Sequence, residues 1–387
     1  MRDGGVFVSK SEQVSFRVIE DFREGKLSRE EAALLLGVSK RALSRQTKRV
    51  REKGLRGVKH GNCGKQPANL LPPQIKQEML RLAADVYADF NLLHRLEMIE
   101  KEHGLKVSYG TFYGWCRKAG LSKGKKRRRS KAHTYRERMA NEGLLLQMDG
   151  SHHEWNGKDK WCLIALIDDA TSDIPYGHFY DGETTLNCMK ALRGVIESRG
   201  LPEIIYTDEA GWAGGGEKRR GFSQFVRACE ELGIKVITTS SPEAKGRIER
   251  AWRTCQDRLI PELAHYGIKS MVDANRYLDQ SFWPSYWRVR NTVVARHESQ
   301  RYRPLPRYIN LDDVLCIKHE RVVRRDHTVW YDNEIYKIVD QGFGNLSGKT
   351  VTVHLYENAP TAVFLGHRRL VAELVVLPTR RWDKRPA

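Results

Sequence analysis

The chain has 387 residues, of which 40% are hydrophobic, so it can form several domains with ordinary cores. It carries 67 lysine and arginine residues against 48 aspartate and glutamate residues, a net charge of +19. This excess favours a nucleic-acid partner, because cationic side chains displace the counterions condensed on phosphate backbones. No apolar run approaches the roughly 20 residues that cross a bilayer, and the first residues lack a secretory signal pattern. We therefore expect a cytoplasmic, nucleoid-associated protein with no membrane partner.

Seven cysteines are scattered along the chain, and no two of them form a CxxC pair. This pattern argues against a disulfide framework and against a structural zinc site, which needs four ligands. His60 and Cys63 form a single HxxC pair, and no second pair supports it.

Residues 1–58 are predicted to form a helix-turn-helix domain. Ser28 with Glu31 three residues later is the capping-box pattern of a helix start, and Ser39 follows a glycine-containing break as the cap of a second, basic helix. This order is typical of a helix-turn-helix, whose second helix enters the DNA major groove. A charged helical hairpin without a DNA role is the alternative. The predicted DNA contacts are Lys40, Arg41, Ser44, Arg45 and Lys48.

Residues 59–121 open with a glycine- and proline-rich stretch and continue with three helical patterns. The third pattern begins at Ser108 and ends at Gly120. It predicts a second helix-turn-helix-like domain, in which Arg117 and Lys118 contact DNA.

Residues 122–140 form a basic linker that is too highly charged to fold into a core. We expect this segment to lie along the phosphate backbone of DNA. Its predicted contacts are Lys125, Lys126, Arg127, Arg128 and Arg129.

Residues 141–304 change in character to alternating strands and helices. Three closely spaced apolar runs predict an antiparallel meander, and two later strands alternate with helices. This order predicts a mixed sheet with helices on its faces. Trp283 and Trp287, four residues apart in the helical connection that follows, are expected to pack on this core.

Three acids of this segment are predicted to converge. Asp149 and Asp208 end predicted strands, and Glu249 lies on the helix that follows the last strand. Three carboxylates without lysine partners repel one another unless divalent cations hold them, and Mg²⁺ prefers such oxygen ligands. We therefore predict a two-Mg²⁺ site, in which Mn²⁺ can substitute. The cations around Glu249 that are predicted to bind DNA are Lys245, Arg247, Arg250 and Arg253.

Other polar residues near these acids are predicted to have different roles. Asp168 and Asp169 precede a turn sequence, so a turn role is expected for both. Glu209 follows Asp208 and points to the opposite face of an extended chain. For His152 and His153, a substrate contact and a structural role both remain open.

The three acids lie in the motifs QMDGSHHEW, IIYTDEAG and SPEAKGRIER, in that order. Together these motifs resemble the DDE-type insertion-sequence transposases of the retroviral integrase superfamily. In that family the third acid lies seven residues after a loop proline, as Glu249 follows Pro242 here. The sequence departs from the family pattern in the 40 residues between Asp208 and Glu249, a longer spacing than usual, and in Glu243, a second candidate for the third acid.

The resemblance implies a bacterial transposase that binds the terminal repeats of a mobile element, cleaves 3′ ends and joins them to target DNA as a homo-oligomer. It implies N-terminal all-α helix-turn-helix modules, a central α/β RNase H-like mixed-sheet core, and a small all-β SH3-like barrel over residues 305–387. Two alternatives remain open: a catalytically inactive, domesticated DNA-binding protein, and an RNase H-like nuclease.

Overall fold

The computed structural model divides the chain after Met79 into two compact units. The described residues are 9–60, 62–63, 71–122, 136–208, 224–238, 246–339, 342 and 344–375. Within these ranges no helix is both long and apolar enough to cross a membrane. The finer division into five domains remains a prediction.

All regular secondary structure in the described residues of the first unit is helical. Its elements are α1 (Lys10–Arg23), α2 (Arg29–Leu35), α3 (Lys40–Lys53) and a 3₁₀ turn (Gly54–Val58), followed by the start of α4 (Pro73–Asp85). The first three helices enclose a small apolar core, because each helix has one apolar face that points inward. The buried members of this core are Ile19, Ala32, Ala33, Leu43 and Val50.

The predicted helix starts in this unit are confirmed. Ser28 and Glu31 form a capping box at α2, and the Ser39 side chain accepts a hydrogen bond from the backbone of α3. Both caps satisfy N–H groups that have no partner inside the helix. Gly37 joins the two helices at φ +62°, a left-handed conformation that glycine adopts without steric cost.

The second unit begins with the remainder of α4 and continues with α5 (Leu92–His103) and α6 (Tyr109–Lys118). Ser108 caps α6 as predicted, and Gly120 follows its end at φ +76°. Phe112 is fully buried on this helix.

A five-stranded mixed sheet forms the centre of the second unit. Its strands are β1 (Leu145–His153), β2 (Trp161–Asp168), β3 (Tyr176–Tyr180), β4 (Ile204–Thr207) and β5 (Lys235–Thr238). They lie in the order β3-β2-β1-β4-β5. Strands β1 to β3 pair antiparallel and confirm the predicted meander, whereas β4 and β5 are parallel to β1.

One face of the sheet is covered by α7 (Thr185–Arg199) and α8 (Gln224–Glu231). Leu146 and Met148 of β1 point toward these helices and belong to the same buried cluster. Because side chains alternate along a strand, the odd-numbered residues of β1 point to the other face.

The other face carries a second helical layer. Leu163 and Ala165 of β2 pack against it, and Trp283 and Trp287 are buried there as predicted. Its elements are α9 (Gly246–His265), α10 (Met271–Tyr277), a π-helical segment (Leu278–Trp287) and the short α11 (Arg288–Arg290). The sheet is therefore buried on both faces. The predicted mixed sheet with helices on its faces is confirmed.

The C-terminal region contains a short helix and seven strands that form two sheets. The elements are α12 (Leu311–Val314), β6 (Ile317–Val322), β7 (Thr328–Tyr331), β8 (Glu334–Ile338), β9 (Thr350–Leu355), β10 (Ala362–Leu365), β11 (Arg368–Leu370) and β12 (Ala372–Leu374). The sheets have the orders β11-β10-β9-β6 and β12-β8-β7, and they share one apolar core.

The predicted SH3-like barrel is not confirmed. Consecutive strands β11 and β12 join different sheets, and no strand pairing within the described residues closes the two sheets into one barrel.

Candidate active site

Helix α9 lies along strand β1, and three hydrogen bonds tie the two elements together. Four residues of helix rise roughly 6 Å, and two residues of strand rise roughly 6.6 Å. Every fourth residue of α9 therefore meets every second residue of β1. The pairs are Gln147 Oε1 with Ile248 N (3.3 Å), Asp149 Oδ2 with Trp252 Nε1 (2.8 Å) and Ser151 Oγ with Gln256 Nε2 (3.1 Å).

Asp208 directly follows β4, the strand that pairs in parallel with β1. In the parallel pairing of β1 and β4, Gln147 lies opposite Tyr206. Asp149 and Asp208 each lie two residues beyond this pair, so a continued register would set them level on strands roughly 4.8 Å apart. Both aspartates are half-buried. The prediction that Asp149 ends its strand is wrong, because β1 continues to His153, whereas Asp208 directly follows the last residue of β4.

Glu249 lies in the first turn of α9 and is exposed. It precedes Trp252 by three residues, and residues at this spacing share one helical face. Trp252 donates a hydrogen bond to Asp149. The hydrogen bonds between α9 and β1 therefore keep Glu249 on the helix that packs over Asp149.

The three acids do not form a single group at ion-binding distance. In the described ranges, the group of three metal-ligating side chains whose ligand atoms all lie within 4.8 Å of one another consists of other residues. The oxygen donor set nevertheless fits Mg²⁺, which takes carboxylates together with water and substrate phosphate.

Asp169 anchors the start of α9 to the sheet. This carboxylate is fully buried, and it accepts hydrogen bonds from Arg247 (2.7 Å), from Gln147 (2.8 Å) and from the backbone of Met139 (2.8 Å). Arg136 forms a further ion pair with it. The predicted turn role of Asp169 is therefore wrong, because its side chain binds residues from three distant segments.

Asp168, in contrast, has the predicted turn role. It accepts hydrogen bonds from the backbone of Thr171 (2.8 Å) and of Gly143 (2.8 Å). Burial raises the pKa of the Asp168 carboxyl, and these hydrogen bonds oppose the rise because they stabilise the carboxylate form. Asp168 therefore stabilises the turn after β2, whereas the adjacent Asp169 binds side chains from other segments.

Two curated relatives match the sequence over most of its length. The chain is 30% identical over 393 residues to transposase y4bF of Sinorhizobium fredii, and the match covers 98% of this chain and 83% of that protein. This chain belongs to the insertion-sequence transposases. It is also 29% identical over 376 residues to the transposase for insertion sequence IS1202 of Streptococcus pneumoniae, covering 86% and 79% of the two chains. The resemblance to transposases is thereby confirmed. No family model matches this transposase.

Solved structures of integrases are also similar to this transposase, at low scores. An integrase chain of a simian T-cell lymphotropic virus intasome with a PP2A B56 gamma subunit gives a TM-score of 0.34 at 16% identity, over 77% of this chain and 95% of that one. The catalytic core domain of HTLV-2 integrase with magnesium, in its trimeric form, gives 0.29 at 20% identity, over 36% and 85%.

The predicted DNA contacts of the transposase fall into three groups. Arg250 and Arg253 are exposed on α9, whereas the Arg247 side chain is only 9% exposed and pairs with Asp169. Lys245 and the linker cations 125–129 lie outside the described residues. The exposed positions on α3 and α6 are Lys40, Arg41, Arg45, Lys48, Arg117 and Lys118, and Ser44 is half-buried.

Two positions on α3 already have partners within the first unit. Lys40 forms an ion pair with Glu30, and Ser44 accepts a hydrogen bond from Arg29. Both partners belong to α2, so these contacts tie the two helices together at their exposed face.

Sequence reasoning missed the hydrogen bond from Trp252 and the roles of Gln147 and Asp169. A signal for Trp252 was present, since it lies three residues after Glu249 and therefore on the same helical face. No local signal identified Asp169, because its partners are 22 to 78 residues away in the sequence.

Proposed function

We propose that this transposase binds the terminal repeats of its mobile element, cleaves the 3′ ends by metal-dependent hydrolysis and joins them to target DNA by transesterification. The observation that supports this proposal most is the parallel pairing of Gln147 with Tyr206, which lie two residues before Asp149 and Asp208, together with the hydrogen bond to Asp149 from the helix that carries Glu249. A freed 3′-OH then attacks a target phosphodiester, forming a new P–O bond as the bond from phosphorus to the target strand's own 3′ oxygen breaks, without a covalent protein intermediate.

Asp149, Asp208 and Glu249 would hold two Mg²⁺ ions, which stabilise the attacking and leaving oxygens of an in-line displacement. The indole N–H of Trp252 donates a hydrogen bond to Oδ2 of Asp149 and so restrains the rotation of this carboxylate. Arg250 and Arg253 are exposed next to Glu249, where cations bind the phosphate backbone that enters the site.

The helical modules and the basic linker are proposed to hold the element ends. Helices α3 and α6 each carry exposed cations behind a serine cap, as in helix-turn-helix recognition helices. Two ends must be joined to one target, so a homo-oligomer on DNA is the proposed assembly.

The proposed reaction is tested with labelled duplex taken from the DNA that flanks the gene, incubated with full-length protein in Mg²⁺. We expect nicking at the 3′ ends and a joined product, both abolished by EDTA. Specific end binding without any product would support the inactive DNA-binding alternative. Preferential cleavage of the RNA strand of an RNA–DNA hybrid would support the nuclease alternative.

Trp252→Phe is expected to weaken metal binding in the carboxylate site. Loss of the hydrogen bond frees Asp149 to rotate, and the loss of such a partner of a metal ligand typically reduces metal affinity about 10-fold or more. The measurement is the Mn²⁺ concentration that gives half-maximal strand joining. Trp330→Phe, at a partly exposed position of the C-terminal sheets, is the matched control. An unchanged Mn²⁺ dependence in Trp252→Phe would show that Asp149 needs no such support.

Neutralising the linker cations is expected to weaken binding to all DNA sequences alike. Replacing Lys125, Lys126, Arg127, Arg128 and Arg129 by glutamine should reduce the magnitude of the slope of log K against log salt by about 4.5, since each phosphate contact contributes roughly 0.9. The control exchanges lysine and arginine at the same positions and keeps the charge. If the slope stays the same after neutralisation, the linker does not contact the backbone.

A further inference from the structure

A second group of metal-ligating side chains lies on the face of β1 that points away from α9. His152 of β1 lies directly opposite Cys162 of β2, so their side chains are cross-strand neighbours on the same face. Glu183, in the loop before α7, completes the group. The nitrogen, sulfur and oxygen ligand atoms of these three residues all lie within 4.8 Å of one another.

Gly150 of β1 lies against this group, and its lack of a Cβ atom leaves room for the side chains. A Cβ atom at this position would lie 2.7 Å from Cδ of Glu183 and 2.9 Å from Sγ of Cys162. Contacts this short do not occur, so any other residue would push Glu183 out of the group. Gly150 therefore allows the carboxylate to lie against the strand.

The three side chains of this group differ in their exposure to solvent. Cys162 is fully buried, the Glu183 side chain is 20% exposed, and the His152 side chain is 57% exposed. An ion can therefore enter from the histidine side and reach the thiol at the bottom.

We propose that His152, Cys162 and Glu183 form a binding site for a borderline divalent cation, with Zn²⁺ the expected ion and water as its fourth ligand. A donor set of imidazole, thiolate and carboxylate suits Zn²⁺ and excludes Mg²⁺, which avoids sulfur. Ligand atoms of a tetrahedral zinc site lie roughly 3.3–3.8 Å apart, given the usual Zn–ligand distances. Nε2 of His152 and Oε2 of Glu183 are already 3.7 Å apart.

This site is separate from the carboxylate site, although both use β1. Asp149 points toward α9, whereas Gly150 and His152 belong to the opposite face of the same strand. A bound ion would fasten the loop before α7 to the strand that carries Asp149. The absence of CxxC pairs excludes paired-cysteine zinc sites only, because the ligands here come from three separate elements.

Cobalt titration of the metal-free, full-length protein tests the site, since Co²⁺ replaces Zn²⁺ and gives a thiolate charge-transfer absorption. We expect this absorption at a single equivalent in the wild type, and its displacement by Zn²⁺. Cys162→Ala should lose it. The matched control Cys229→Ala removes an equally buried thiol from α8, outside the group, and should keep it.

A second variant keeps the test valid if Cys162→Ala does not fold. His152 is exposed, so His152→Ala should fold normally and weaken Co²⁺ binding by at least roughly 10-fold, the lower limit typical of losing even an outer partner of a ligand. No thiolate absorption in the wild type would overturn the proposal. Absorption that persists in Cys162→Ala, for example through the exposed Cys63, would overturn it as well.

Discussion

Glu249→Gln is expected to reduce 3′-end cleavage and strand joining by at least about 10³-fold while leaving DNA binding and folding intact. Glutamine keeps the size of the side chain but removes the negative charge that a metal ligand supplies. A loss of about 4 kcal/mol of transition-state stabilisation corresponds to this factor. Glu249 is exposed on the first turn of α9, so its replacement disturbs no buried contact. The measurement is joined product from labelled terminal duplex in Mg²⁺.

Glu230→Gln is the matched control, since it removes an exposed carboxylate from α8 on the far face of the sheet. This variant should join DNA at the wild-type rate. Full joining by Glu249→Gln would contradict the assignment of the third acid and direct attention to Glu243, which lies outside the described residues. Loss of joining in both variants would indicate that the change in net charge, and not the loss of a metal ligand, impairs strand joining.

Asp169→Asn is expected to lower the free energy of unfolding by about 3 kcal/mol or more, because breaking a buried ion pair leaves an uncompensated charge. Arg247 has a side chain that is only 9% exposed and would lose its carboxylate partner. Arg136 would lose the same partner. The measurement is the urea midpoint of the full-length protein at constant ionic strength.

The same substitution should also reduce strand joining in the fraction that remains folded. Arg247 and the Gln147–Ile248 hydrogen bond fix the first turn of α9, which carries Glu249. Asp273→Asn is the control, since its ion pair with Arg276 is exposed and contributes little. Equal, small effects of both substitutions on the urea midpoint would show that Asp169 is not an anchor.

Several features of the fold could be predicted because their causes are local. Ser28, Ser39 and Ser108 cap helices through hydrogen bonds to residues three positions away, so the sequence contains both partners within one turn. The meander of β1 to β3 follows from close-spaced apolar runs, since short connections favour antiparallel pairing.

The C-terminal strands show where local reasoning ends. Their alternating pattern predicted short strands, and short strands are present. The pattern does not state which strands pair, because pairing depends on contacts between residues far apart in the chain. The consecutive strands β11 and β12 therefore join two different sheets, and the predicted barrel is not confirmed.

The sequence by itself determined the family, the order of helices and strands, and the three carboxylates predicted to bind metal. Each of these depends on spacing within a motif or on periodicity within one element. The tertiary structure alone decided that Arg247 pairs with Asp169, that Trp252 holds Asp149, and that His152, Cys162 and Glu183 meet. These contacts join residues from separate strands, loops and helices, and only the packing of the sheet against its two helical layers brings them within hydrogen-bonding distance or ligand distance.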